Sequence, residues 1–396
     1  GAAPRPDDAA LMDAALVNSS LVRPGQRDWS LRAIAAERGT PQYSLRALLA
    51  QRDRTVVSSW AVCLLTSPGS TPKLTMPMDW LDRMFFEPDG VAAFFRTMSG
   101  GRLLVEWKVF GPLPLMTFQQ KQQSAKAGTE DADYTRLAKA QGVPLDQFDH
   151  VMWMPDDGVS TAGTAAGQNN RFVGAQDVAP QLACHEMTHT FGVCSHADRY
   201  TLDDYADPFC MMGRPGVART WESPTLAWPG RFQHGMVGPG LIAPYLVVAG
   251  WLDYGRNVTH FQVADLADAV GLSYPLSCNA GAPPIGDGRR IAITVGELPR
   301  RPMDNAQIWV EYRRPEGFDR GIAAPPGGAA DLPASGGLVV HRVGFGSARC
   351  QNALRAAVTS WHPAIVGQTI PLPGYGQTLQ VTSVDDARRE VMVTVR

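Results

Sequence analysis

Apolar and β-branched residues run almost unbroken through Thr-Val-Val-Ser-Ser-Trp-Ala-Val-Cys-Leu-Leu-Thr at 55–66, which stops at Ser67-Pro68-Gly69. A strand covered on both faces has no polar side to alternate with, so this stretch predicts an interior strand. The period then changes. Met78–Phe86 and Pro88–Met98 read as helices, the second with Val91, Phe94, Phe95 and Met98 on one face. Ser99-Gly100-Gly101 turns the chain into a second strand, Arg102–Phe110, and a polar helical stretch covers Gln119–Gln141. Asp149–Pro155 is a short apolar strand in which His150 reads as structural. A loop rich in Gly, Ala, Asn and Thr follows at 156–174, and Asp177 as cap with Pro180 in the first turn opens another helix. Strands and helices taken in this alternation are an α/β order.

Beyond residue 266 the pattern shortens to strands separated by Gly and Pro: Ile291–Leu298, Ala306–Tyr312, Gly337–Val343, Gln368–Leu372, Gln377–Val384 and Glu390–Val395. Short strands at this density predict a β-sandwich. A chain of 396 residues supports two or three domains. We therefore divide it into an N-terminal extension at 1–53, helical or propeptide-like, an α+β unit in α/β order at 54–265, and a β-sandwich at 266–396.

Charge excludes more than it suggests. With 36 basic and 38 acidic residues the net charge is −2, which leaves neither a nucleic-acid footprint nor a polybasic membrane patch. The longest apolar candidate for a span, Gly240–Leu252, is short and interrupted by Pro244. The 31 Pro and 39 Gly, against 19% charged residues, predict many irregular loops and suit a secreted or periplasmic enzyme, and the Gly1-Ala2-Ala3 start suggests a processed or recombinant terminus. Six cysteines make an even set. Cys194 and Cys210 bracket one loop and are the preferred disulfide pair, Cys278 and Cys350 share the β-rich part, and Cys63 and Cys184 are left to pair or to stand as buried thiols.

The candidate chemistry lies in Cys184-His185-Glu186-Met187-Thr188-His189-Thr190-Phe191-Gly192-Val193-Cys194-Ser195-His196. Residues four apart share a helix face, so His185 and His189 can place two imidazoles on one zinc ion. Glu186 then stands beside the metal as general base for a water of lowered pKa. Gly192 suits a left-handed helix end that lets the chain double back and offer His196 as third ligand. A peptide substrate would lie extended beside this helix, along an edge strand near Arg171-Phe172-Val173. Two other functions fit the same residues: a zinc hydrolase of non-peptide amides, and a binding module whose metal site has degenerated. The retained Glu186 weighs against the second.

Several landmarks carry a resemblance. Phe94–Leu103, the run Tyr205-Ala206-Asp207-Pro208-Phe209-Cys210-Met211-Met212-Gly213, Pro239–Tyr245 through Gly250-Trp251-Leu252, Val310–Arg313 with Gly317-Phe318-Asp319, and Gly337–His341 resemble segments of the metzincin-like zinc peptidases of the gametolysin and immune inhibitor A families. The resemblance implies a metzincin-like catalytic domain, zinc-dependent cleavage of protein or peptide substrates, and a Met turn in which Met212 is the apolar floor beneath the histidines, with Met211 second. In the usual metzincin spacing the third histidine would fall at Ser195; His196 comes one residue later, so the loop after Gly192 must bulge for it to bind. Asp198 is the next candidate for the third ligand. Asp203, Asp204 and Asp207 lie further on, either holding a structural calcium ion or solvated. Two residues after Met212, where many metzincins carry a tyrosine, this chain has Arg214; Tyr200 and Tyr205 are close in sequence.

Overall fold

The structure is a computed structural model. It describes residues 55–68, 78–155, 163–164, 170–173, 178–191, 193, 196–198, 206–214, 217–226, 235–252, 256–296, 305–323, 332–333, 335–345 and 354–396. The expected extension at 1–53 lies outside the described residues.

Strand β1 (Val56–Thr66) is the spine of the first sheet. Trp60, Ala61, Val62 and Cys63 are all fully buried, so successive residues are covered on both faces, as the apolar run requires. Helices α1 (Met78–Phe86) and α2 (Val91–Met98) lead into β2 (Leu103–Pro114). The polar stretch expected as one helix is two, α3 (Phe118–Ala127) and α4 (Glu130–Ala140). Gly128 ends α3 in the left-handed conformation at φ 69°, which a side chain would resist. Thr117 and Gln120 close the other end reciprocally: the Gln120 N–H donates to the Thr117 hydroxyl at 3.2 Å, and the Thr117 N–H to the Gln120 carbonyl oxygen at 2.9 Å.

Next come β3 (His150–Pro155), β4 (Gly163–Thr164), β5 (Asn170–Phe172) and α5 (Pro180–Thr190). The sheet order is β2-β1-β3-β5-β4, parallel except for β4. This corrects the position of the edge. Phe172 pairs with Trp153 on one side and with Gly163 on the other, so β5 is interior and the outer strand is Gly163–Thr164. The glycine-rich loop supplies that edge by folding back as an antiparallel partner.

The remaining elements are β6 (Ala197–Asp198), β7 (Trp221–Glu222), β8 (Met236–Val237), α6 (Ala243–Val248), β9 (Val258–Phe261), α7 (Val263–Asp268), β10 (Ser273–Ser277), β11 (Ala292–Val295), β12 (Asn305–Arg313), β13 (Gly337–Phe345), β14 (Leu354–Pro363), β15 (Thr369–Pro371), β16 (Thr378–Asp385) and β17 (Glu390–Val395). They form a sheet of order β6-β14-β13-β12-β11-β9 and an antiparallel sheet of order β10-β17-β16-β15, while β7 pairs with β8. The larger sheet takes both its outer strands from the chain before residue 266. One core runs from Trp60 and Phe95 through Met187 and Met212 to Trp309 and Ala356, so the first sheet, the motif helix and the larger C-terminal sheet share it. A second core joins the two C-terminal sheets through residues such as Val310, Val340, Leu379 and Val393. The architecture is mixed α+β with several sheets. Among the described residues no helix is long and apolar enough to cross a membrane.

Candidate metal centre

Helix α5 carries the motif. Pro180 occupies its first turn, where a missing N–H costs nothing. Ala179 is the capping residue and provides no side-chain bond; Asp177, expected there, lies outside the described residues. Every residue of α5 is buried, and Phe95 meets Phe191 edge-on at 5.1 Å, which locks the C-terminal end of the helix to α2. His185, Glu186 and His189 are 4%, 5% and 6% exposed.

His185, His189 and His196 come together. Their ring centroids are 5.1, 5.2 and 4.8 Å apart pairwise, and one ligand atom from each lies within 4.8 Å of the others, a cluster that can hold a metal ion. The hydrogen bonds fix the tautomers of two rings. His185 Nδ1 is 2.9 Å from the Met211 carbonyl and His189 Nδ1 is 2.7 Å from the Val193 carbonyl. A carbonyl only accepts, so each Nδ1 carries the proton and each Nε2 presents its lone pair. This is the arrangement metal-binding imidazoles use. Burial reinforces it by pushing the His185 pKa down to about 4, against the opposing hydrogen bond to Met211. The residues present thus suit a borderline cation that prefers nitrogen, and among the described residues no carboxylate or thiol belongs to the cluster.

The displaced third histidine has a mount of its own. The Tyr245 hydroxyl donates to the His196 carbonyl at 2.7 Å. Ala197 donates to the Met212 carbonyl at 3.0 Å and accepts from the Asp207 N–H at 3.2 Å, while Ala197–Asp198 pair with Ala356–Ala357 of β14. The Asp198 side chain, Gly192, Ser195, Asp203, Asp204, Tyr200 and Tyr205 lie outside what is described. Asp207 is engaged elsewhere: its carboxylate accepts from the Phe209 N–H at 2.8 Å and from His341 Nε2 at 3.0 Å, both residues being fully buried.

Met211 and Met212 both sit in the main core, and it is Met211, through its carbonyl, that holds His185. Cys210 is a free, fully buried thiol, so the bridge expected with Cys194 is not formed; Cys63, Cys184 and Cys278 are free as well, which removes the pairing of Cys278 with Cys350. Cys210 faces the core, hydrogen-bonded to the backbone of Met212 and Ile242, and burial raises its pKa so that it stays a neutral thiol. Cys184 is likewise raised by burial.

A chain of polar contacts backs the turn at Cys210–Gly213 from the C-terminal sheet. Met211 N–H donates to the Gly240 carbonyl at 3.0 Å, and the Gly240 N–H donates to Asp319 at 2.8 Å. Asp319 takes two bonds from Arg313, at 2.7 and 2.6 Å, and Arg313 also reaches Glu311 at 3.1 Å. Glu311 accepts from the Ala243 N–H at 2.8 Å and from Asn279 at 2.6 Å. Sequence reasoning did not assign Tyr245, His341, Glu311, Arg313 or Asp319 to the site. The readable signal was Glu311 and Arg313, two opposite charges on one face of a β-forming run, where an apolar pair is the ordinary choice.

Burial of His185 makes the metal-free protein sensitive to acid. The folded ring stays neutral down to about pH 4, whereas the unfolded ring takes up a proton below its ordinary 6.5. Stability is therefore complete above pH 6.5 and falls as pH drops towards 4, by on the order of 3 kcal/mol from this group. His260 and His362, also lowered by burial, act in the same direction. Urea unfolding of metal-free protein at stepped pH should show the decline, and His185→Asn should flatten it.

Compared with models of known protein families and with curated proteins, the chain matches none.

Proposed function

We propose that this chain is a zinc-dependent endopeptidase of metzincin-like type, with its C-terminal sheets arranged as a sandwich-like support. The observation that carries the reading is the convergence of three imidazoles, two of them held by carbonyls in the metal-ready tautomer, beside a buried glutamate on the same helix. His185, His189 and His196 would hold the ion, the nitrogen donor set that zinc accepts. Zinc bound there supplies Lewis-acid polarisation of a carbonyl and a water acidified towards neutral pH. Glu186 would act as general base and then as general acid, taking a proton from water and handing it to the departing amine nitrogen. The neutral imidazoles keep their Nδ1 protons on the carbonyls of Met211 and Val193 and so stay oriented throughout.

An extended peptide is favoured over a small amide by the sheet edge. The outer side of Gly163–Thr164 has no strand partner among the described residues, and this strand packs beside α5. Backbone pairing along that edge would align a peptide with the motif helix.

The test begins with metal. Purified protein should bind one equivalent of zinc, cleave casein, lose cleavage on treatment with a strong chelator and regain it when zinc is restored. Zinc-loaded protein that cleaves small acyl amides and leaves casein intact would move the assignment to a non-peptide amidohydrolase. Protein that binds zinc and hydrolyses neither would make it a binding module.

A further inference from the structure

Of the three clustered histidines, His185 and His189 stand on a buried helix, whereas His196 stands on an extended segment. That segment is held from three directions. Met212 and Asp207 bracket Ala197 from the Met turn, and β14 pairs with Ala197–Asp198 along the edge of the larger C-terminal sheet. Tyr245 closes the third side. Its ring is fully buried, its hydroxyl donates to the His196 carbonyl at 2.7 Å, and the same hydroxyl oxygen receives the Ala356 N–H at 3.4 Å. One phenol thus touches both the backbone of the ligand and the strand of the C-terminal sheet that pairs with the next residue.

We propose that Tyr245 is a positioning residue for the metal site, latching His196 to strand β14, so that zinc binding and the order of the C-terminal sheet edge are one coupled equilibrium. The inference rests on the reading of the three histidines as a zinc site. Its physical basis is the freedom of an extended segment. A ligand on a helix is already aimed by the helix, whereas one on an irregular segment must be ordered before it can bind, and each contact that orders it beforehand raises affinity. Coupling between two sites is reciprocal, so an ion that captures His196 must in turn steady the strand to which it is latched.

Two measurements test this without reference to catalysis. Zinc affinity is read by competition with a chromophoric chelator for wild type, Tyr245→Phe and Tyr312→Phe. The last removes a hydroxyl that donates to the Ser335 carbonyl in the same C-terminal region and controls for general loss of stability. Amide hydrogen exchange at residues 356–358 is followed with and without zinc. Partners that orient metal ligands commonly carry about 10- to 100-fold in affinity. A tether on the backbone of the ligand belongs at the low end, so Tyr245→Phe should bind zinc about tenfold more weakly, while Tyr312→Phe matches wild type. Zinc should slow exchange at 356–358 in wild type and much less in Tyr245→Phe. If wild type takes up no zinc, the metal reading falls and the inference with it. If wild type binds zinc and Tyr245→Phe binds it equally well, or zinc leaves exchange at 356–358 unchanged in wild type, the latch alone is overturned. The wild-type exchange measurement decides the matter even if Tyr245→Phe does not fold.

Discussion

Glu186→Gln should keep its zinc and lose about a thousandfold or more in kcat/KM for peptide cleavage, within the range assigned to a positioned general acid–base group. Glutamine matches glutamate in size and can accept through its carbonyl oxygen, but it cannot take up a proton at neutral pH. Among the described residues the three clustered groups that can hold an ion are all imidazoles, and Glu186 is not among them. Its replacement therefore leaves the ion's holders in place, and helix α5, buried along its whole length, keeps its packing. His185→Ala and His189→Ala should behave differently, losing metal and activity together. Metal analysis of each variant alongside casein cleavage separates the two classes. A glutamine variant as active as wild type would remove Glu186 as the base, and one that lost its zinc would make the glutamate a support of the ion instead.

What the sequence made legible follows from how local each signal is. The motif spacing on α5 is a property of a single helix, and so are the apolar runs of β1 and β17 and the helical face of α2; the structure places all of these within a few residues of expectation. The strand Leu354–Pro363 was missed because Arg, Ala and Ser dilute its β-branched residues, and its role comes from partners remote in sequence: β13 on one side and Ala197–Asp198 on the other. Ser273–Ser277 was missed because it contains Pro275, which a sheet tolerates at the edge position that β10 occupies. The expected boundary near residue 266 reflects a real change of pattern, yet two strands laid down before it complete the larger C-terminal sheet. Cysteine parity misled for a similar reason, since whether Cys210 faces its loop or the core depends on tertiary packing.

The same remoteness makes the buried ion cluster a sensitive structural position. Asp319→Ala should cost about 3 kcal/mol, the low end of the usual penalty for breaking a buried pair, because Glu311 still faces Arg313. Burial works against the charge on Arg313, and Asp319 and Glu311 reverse that effect in the native cluster; a guanidinium does not deprotonate in a protein, so Arg313 remains charged when Asp319 is gone. The loss is a large share of a domain's typical stability of about 5–15 kcal/mol. Buried ion pairs can often be exchanged for apolar residues at little cost, and Arg313→Met with Asp319→Leu would be the natural attempt here. It should recover only part of the loss. Asp319 also accepts the Gly240 N–H, so the apolar pair strands that donor, at about 1–3 kcal/mol, and leaves the buried Glu311 carboxylate without its guanidinium. Through Gly240 and Met211 the same disturbance reaches the carbonyl that orients His185, so zinc affinity should stay below wild type in the double variant even where stability is partly regained. Urea unfolding of both variants without metal, followed by zinc competition, separates the two effects; a double variant with wild-type stability and wild-type affinity would show that the cluster supports neither the turn nor the metal centre.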